Sequence, residues 1–166
     1  MHPFESHIRS VPDFPKAGVM FKDISPLLAE RFSEVIEAMA STIDWSKIDY
    51  VVGIESRGFI LGAAMAQLKG KGFIPVRKKG KLPPPTIAET YALEYGNDTL
   101  EMLVNEKPSR VLLVDDVLAT GGTLKAVLKL CEKNNYSVAG MSLLINLTFL
   151  NKFKDEGHIV HSVINY

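Results

Sequence analysis

Four apolar residues, Val111 to Val114, run into two acids, Asp115 and Asp116, and then into the turn "ATGGT" ahead of a helical pattern. This order narrows the fold more than any other feature. A strand of consecutive apolar residues is covered on both faces, as strands are inside a parallel sheet. The following "TLKAVLKLCEKNN" carries Leu124, Val127, Leu128 and Cys131 on one helical face. Strand, tight turn and helix make one βα unit. The pattern recurs upstream, where "DYVVGI" reads as a strand, "SRGFILGAAMAQL" as a helix and "GFIPV" as a strand. "RFSEVIEAMASTI" is helical by the spacing of Phe32, Val35, Ile36 and Met39, and "YSVAGMSLLINL" and "IVHSVI" read as later strands. The expected fold class is therefore α/β, a mostly parallel twisted sheet flanked by helices on both faces.

Other segments are less regular. The first 26 residues read as a loop-rich arm with one short helix, and "RKKGKLPPPTIAET" runs without periodicity to Thr90. Two short strands follow around "YALEY" and "TLEMLV", with "GND" as the turn between them. A length of 166 residues suits one domain spanning 1–166. The 19 basic and 19 acidic side chains cancel, so no global field favours nucleic acid or an anionic membrane. Any anion site must be a local cluster. Cys131 is the sole cysteine, which excludes an internal disulfide and fits a reducing, cytoplasmic setting. The N-terminus shows no apolar signal core, and no run of some 18 apolar residues exists to span a membrane.

In an open α/β sheet, ligands bind beyond the carboxyl ends of the strands. Three chemically loaded stretches fall there: "GIESRG", "RKKGK" and "DDVLATGGT". In the last, Gly121 and Gly122 allow close backbone approach, and successive N–H groups at a helix start form a phosphate nest. Thr120 and Thr123 add hydroxyl donors. A plain strand-to-helix turn capped by Thr123 would leave the same local pattern. The acids tip the balance, because a carboxylate beside a phosphate cradle is repulsive unless it holds Mg²⁺ or accepts hydrogen bonds from sugar hydroxyls. Hydroxyls plus one phosphate describe a ribose 5-phosphate. Neither G-x-x-x-x-G-K-[ST] nor G-x-G-x-x-G is present.

"VLLVDDVLATGGT" resembles the 5-phosphoribosyl 1-diphosphate (PRPP) motif of the type I phosphoribosyltransferases. The resemblance implies that Asp115 and Asp116 face the ribose hydroxyls, while Ala119, Thr120, Gly121, Gly122 and Thr123 hold the 5-phosphate. It implies diphosphate contacts from Arg57, Arg77, Lys78 and Lys81, with Lys79 toward solvent. "PDFPKAGVMFKDISPLL", "ESRGF", "RKKGKLP" and "ETYALEYG" are similar, in order, to the adenine-specific branch of that family, from Ile8 to about Leu147. This implies a small N-terminal hood (about 1–30) over the base, with adenine contacted by Val19, Phe21, Lys22 and Arg57, and a flexible catalytic loop (about 77–95). Lys22 stands where the family typically has Arg, and lysine lacks the bidentate fork.

Glu94, in "LEYG", is the implied catalytic residue. If adenine binds as its N7-protonated tautomer, N9 is free to attack C1′, and a carboxylate near N7 takes the proton. Such help is worth roughly 10²–10⁴-fold. Tyr95 is secondary. The resemblance further implies adenine, PRPP, AMP and diphosphate as ligands, Mg²⁺ bound mainly through PRPP with no direct protein ligand, and a homodimer. A 6-oxopurine enzyme should lack the Glu of "LEYG", and a PRPP-sensing regulator would carry an added DNA-binding segment. His158 and His161 lie on opposite faces of a strand-like stretch, so no structural metal is expected there. Cys131 reads as core.

Overall fold

The computed structural model describes residues 2–93, 96–151, 153 and 159–166. Among these, the strands are β1 (Arg9–Pro12), β2 (Met20–Asp23), β3 (Tyr50–Ile54), β4 (Gly72–Lys78), β5 (Thr86–Leu93), β6 (Gly96–Leu103), β7 (Ser109–Leu118), β8 (Tyr136–Asn146) and β9 (Val160–Asn165). The α-helices are α1 (Ser25–Ser41), α2 (Arg57–Lys69) and α3 (Gly122–Lys133). The main sheet runs β5-β6-β4-β3-β7-β8-β9. Its five strands from β4 to β9 are parallel, and β6 and β5 add an antiparallel edge.

Alternation along β7 explains the layering. Leu112 and Val114 join Leu27, Val35, Met39, Leu61 and Met65 in a core under α1 and α2. Val111 and Leu113 join Leu124, Val127, Leu130 and Cys131 under α3. A central strand thus needs apolar residues at every position, and both cores close on it. Fully burying each such side chain contributes about 1.5–3 kcal/mol.

Four local expectations are corrected. The N-terminal arm contains a hairpin, β1 against β2, with Arg9 opposite Asp23 and Val11 opposite Phe21. β7 does not stop before the acids: Asp115 and Asp116 lie inside it, and Asp115 remains paired in register with Leu143 of β8. β5 already starts at Thr86, inside the segment that lacks periodicity in the sequence. "GND" is not a turn but the start of β6, with Leu93 opposite Gly96. In each case cross-strand pairing overrides local turn chemistry, since Gly, Asn and Asp weaken a strand without forbidding one.

Candidate active site

The carboxyl ends of β3, β4 and β7 open onto one side of the sheet, and the hood hairpin reaches the same place through Arg57. Arg57 opens α2; its NH1 donates to the Lys22 carbonyl at 3.3 Å, and its guanidinium lies 4.7 Å from the centre of the Phe21 ring. On its other side Arg57 Nε stands 2.6 Å from Asp116 Oδ2. Its carboxylate partner is thus Asp116 from β7, while the neighbouring Glu55 meets Arg77.

Asp116 is buried, and its Oδ2 accepts no aligned hydrogen bond despite the ion contact. A sealed carboxylate oxygen with unused acceptor capacity is costly unless a ligand donates to it. Asp115 Oδ1 accepts from the Asp116 backbone N–H at 2.9 Å. Burial, and then the neighbouring Asp116 charge, push the Asp115 carboxyl well above its ordinary range. The two adjacent acids therefore differ: one leans toward the neutral form and the other faces a guanidinium. Gly58 permits this, because a Cβ there would sit 2.9 Å from both Asp115 Oδ1 and the Val114 carbonyl.

Beyond the acids, β7 turns into α3 through Ala119–Gly121. Residues 117–124, with Asp115, enclose a cavity of about 80 Å³, which suits a single phosphate group. Gly121 caps α3 with φ +86°, so the backbone can turn its N–H groups into the cavity at the positive end of the helix. The Phe153 ring lies against Gly121, where a Cβ would come within 2.6 Å of it.

The basic stretch is less free than its composition suggests. Arg77 Nε lies 3.2 Å from Glu55 Oε2, and Arg77 NH1 donates to the Lys81 carbonyl at 3.4 Å. Lys78 Nζ pairs with Asp98 Oδ2 at 3.1 Å, while Lys79 and Lys81 are exposed. A diphosphate arriving here would compete with internal acids for these cations. Lys22 turns its ammonium to Ser10 Oγ at 2.9 Å and over the Tyr166 ring at 4.0 Å, leaving its carbonyl toward Arg57. Val19 is partly buried in the loop before β2. Glu94, Tyr95 and His158 lie outside the described residues. Among the described residues, no cluster of three or more metal-ligating side chains occurs. Cys131 is buried in the core, which pushes its thiol up to about 12.

One organiser escaped the sequence reading. Glu101 on β6 is buried, and its Oε1 accepts the backbone N–H groups of Gly80, Lys81 and Leu82 at 3.1, 3.2 and 3.0 Å. It pins the basic turn to the sheet. The only signal was an acid inside the apolar run "TLEMLV", which could equally have been a solvent-facing strand position.

Beside this geometry, with acids inside β7 facing a guanidinium and a phosphate-sized cavity beyond them, residues 24–162 match the model of the phosphoribosyl transferase domain, a class of α/β protein. Adenine phosphoribosyltransferases of Bdellovibrio bacteriovorus and Hydrogenovibrio crunogenus are 52% and 46% identical to this chain. The first alignment covers 98% of both chains, the second 99% of this chain and 97% of the relative. The crystal structure of adenine phosphoribosyltransferase from Rhodothermus marinus superposes with a TM-score of 0.91 at 47% identity, covering 98% of this chain and 96% of that one. That of Saccharomyces cerevisiae, complexed with D-2,5-dideoxy-2,5-imino-altritol 1,6-bisphosphate and adenine, gives 0.89 at 36%, covering 96% of each. This chain belongs to the adenine phosphoribosyltransferase family.

Proposed function

We propose that the chain transfers the 5-phosphoribosyl group of PRPP to N9 of adenine, giving AMP and diphosphate, as a purine-salvage enzyme. The observation that carries the residue roles is the buried Asp116 carboxylate, with an oxygen lacking a hydrogen bond, next in β7 to Asp115, which lines the 80 Å³ nest. Ribose hydroxyls would donate to Asp116, and to Asp115 in so far as it is ionised, while the 5-phosphate takes the N–H groups of Ala119–Thr123. Donors held in place ahead of the reaction stabilise charge without reorganising. Arg57, Arg77, Lys78 and Lys81 would receive the departing diphosphate. Phe21 and the guanidinium of Arg57 offer two flat surfaces for the purine, with Val19 and the backbone at Lys22 at its edge. Glu94 would take the N7 proton as N9 bonds to C1′, and return it in the reverse reaction.

Mg²⁺ fits as an ion carried by PRPP oxygens: the carboxylates nearest the nest are already contacted by Arg57 or raised by burial, so the protein offers few free anionic ligands. Bound there, the ion would offset negative charge on the diphosphate. A cytoplasmic setting follows from PRPP and AMP being intracellular metabolites, and no helix among the described residues is long and apolar enough to cross a membrane. A homodimer is supported by an apolar groove of about 300 Å³ between α1 and α2, lined by Phe32, Ile36, Ala64 and Leu68. Ile60 and Leu68 on α2 are each 48% exposed. Sedimentation of the wild type and of Leu68→Asp tests the dimer.

The test of the activity is a base panel of adenine, hypoxanthine, guanine and xanthine, each with PRPP and Mg²⁺, following diphosphate release. Release with adenine alone is expected, and Glu94→Ala should then lose about 10²–10⁴-fold in kcat. Release only with an oxopurine would overturn both the substrate and the role of Glu94. Tight PRPP binding with no turnover would point to a sensor instead.

A further inference from the structure

β5 is the edge strand of the main sheet; it pairs with β6, which in turn pairs with β4 at Arg77 and Lys78, opposite Glu101 and Leu100. The other support of β5 is α3. Along β5, alternate residues Ile87, Glu89 and Tyr91 form the less exposed face. Ile87 and Tyr91 pack into the core under α3, and the Tyr91 ring approaches Gly122 at the start of that helix. Glu89 sits between them as a carboxylate on an otherwise apolar face. Its side chain is only 11% exposed, and its oxygens meet Lys133 Nζ at 2.5 Å and Lys129 Nζ at 3.4 Å. The two lysines are four residues apart, on one face of α3. Hydrogen bonding to Lys133 lowers the carboxyl below its ordinary value, so the group stays ionised at neutral pH.

Lysines near a helix C-terminus are explained by the helix dipole alone. A largely sheltered carboxylate between two packed apolar residues is not, because an aliphatic side chain would dock the strand more firmly there. We propose that Glu89 is a positioning residue: its clamp to Lys129 and Lys133 makes docking of β5 on α3 electrostatic, directional and reversible, and thereby sets how β5, up to Leu93, lies relative to the phosphate nest. α3 carries the nest at its first residue and the clamp in its second half, so one rigid element relates the two. The inference rests on the proposed role of the hairpin loop in adenine transfer.

The test uses three variants of the full-length chain: Glu89→Lys, the triple reversal Glu89→Lys/Lys129→Glu/Lys133→Glu, and Glu89→Leu. Each is followed by steady-state kinetics in PRPP and by hydrogen exchange of residues 86–93. Glu89→Lys should repel the hairpin, raising KM for PRPP about tenfold, lowering kcat and speeding exchange of β5. The triple reversal should return both constants to within about threefold of wild type. Glu89→Leu should dock the hairpin permanently, lowering kcat while KM stays level or falls. That opposite movement of KM separates positioning from general stability. Unchanged exchange and kinetics in Glu89→Lys, or a triple reversal that regains stability but not KM, would overturn the proposal. If the wild type turned over no adenine, the functional reading would fail, while exchange of β5 would still judge the clamp.

Discussion

Arg57 Nε lies 2.6 Å from Asp116 Oδ2, so a cation from the start of α2 faces a carboxylate of β7 at the point where the hood also converges. Asp116→Asn should retain the fold, since the amide is isosteric, but lose a charged acceptor for sugar hydroxyls. A charge-assisted hydrogen bond is worth about 1.5–3 kcal/mol, so kcat/KM for PRPP should fall roughly 10- to 100-fold. Titration calorimetry with ribose 5-phosphate checks it. Unaltered affinity would remove Asp116 from the ribose.

At Gly121 two constraints coincide, a φ of +86° and the Phe153 ring. Gly121→Ala should destabilise the protein by about 1–2 kcal/mol from backbone conformation alone, with the ring displaced in addition. Thermal unfolding should show the loss, and Phe153→Leu added to it should recover only the part due to crowding. Phosphate affinity should drop in both variants, because the φ constraint persists.

Three backbone N–H groups lose their shared acceptor in Glu101→Ala. A fully buried donor left unpaired costs about 1–3 kcal/mol, and these partly buried ones cost less because the turn at 80–82 relaxes toward water. The expected result is a lower unfolding temperature and a higher KM for PRPP. NMR amide exchange at Gly80, Lys81 and Leu82 should accelerate at least about tenfold, a change confined to that turn if the acid only pins it.

In the hood, hydrogen bonds from Ser25 first, and then the Arg9 guanidinium, hold Asp23 down at about 2 against an ordinary 3.8. A carboxyl lowered on folding favours the fold while ionised. Its contribution is complete above about pH 4 and disappears as pH falls through about 2. Urea midpoints measured from pH 5 to pH 2 should therefore fall more steeply for the wild type than for Asp23→Asn. Parallel curves would show that the pairing contributes nothing.

The α/β class and the Gly-rich turn at the start of α3 were legible in the residues alone, because both rest on local rules. Val111–Val114 must be covered on two faces, and Gly121 and Gly122 form a tight turn into a helix with little help from elsewhere. Asp115 and Asp116 stood out for the same reason, as charges continuous with a buried strand. The partnerships among charges came instead from contacts between distant parts of the chain. Arg57 chose Asp116 over nearby Glu55, Glu101 took the N–H groups of a turn some twenty residues upstream, and Glu89 found two lysines on α3. The hood hairpin and the early start of β5 belong with these, since strand pairing also joins residues that sequence spacing does not relate. Side chains near in sequence meet through short-range geometry that can be read directly. Those joined by β pairing and helix docking meet only once the cores on both faces of the sheet have closed.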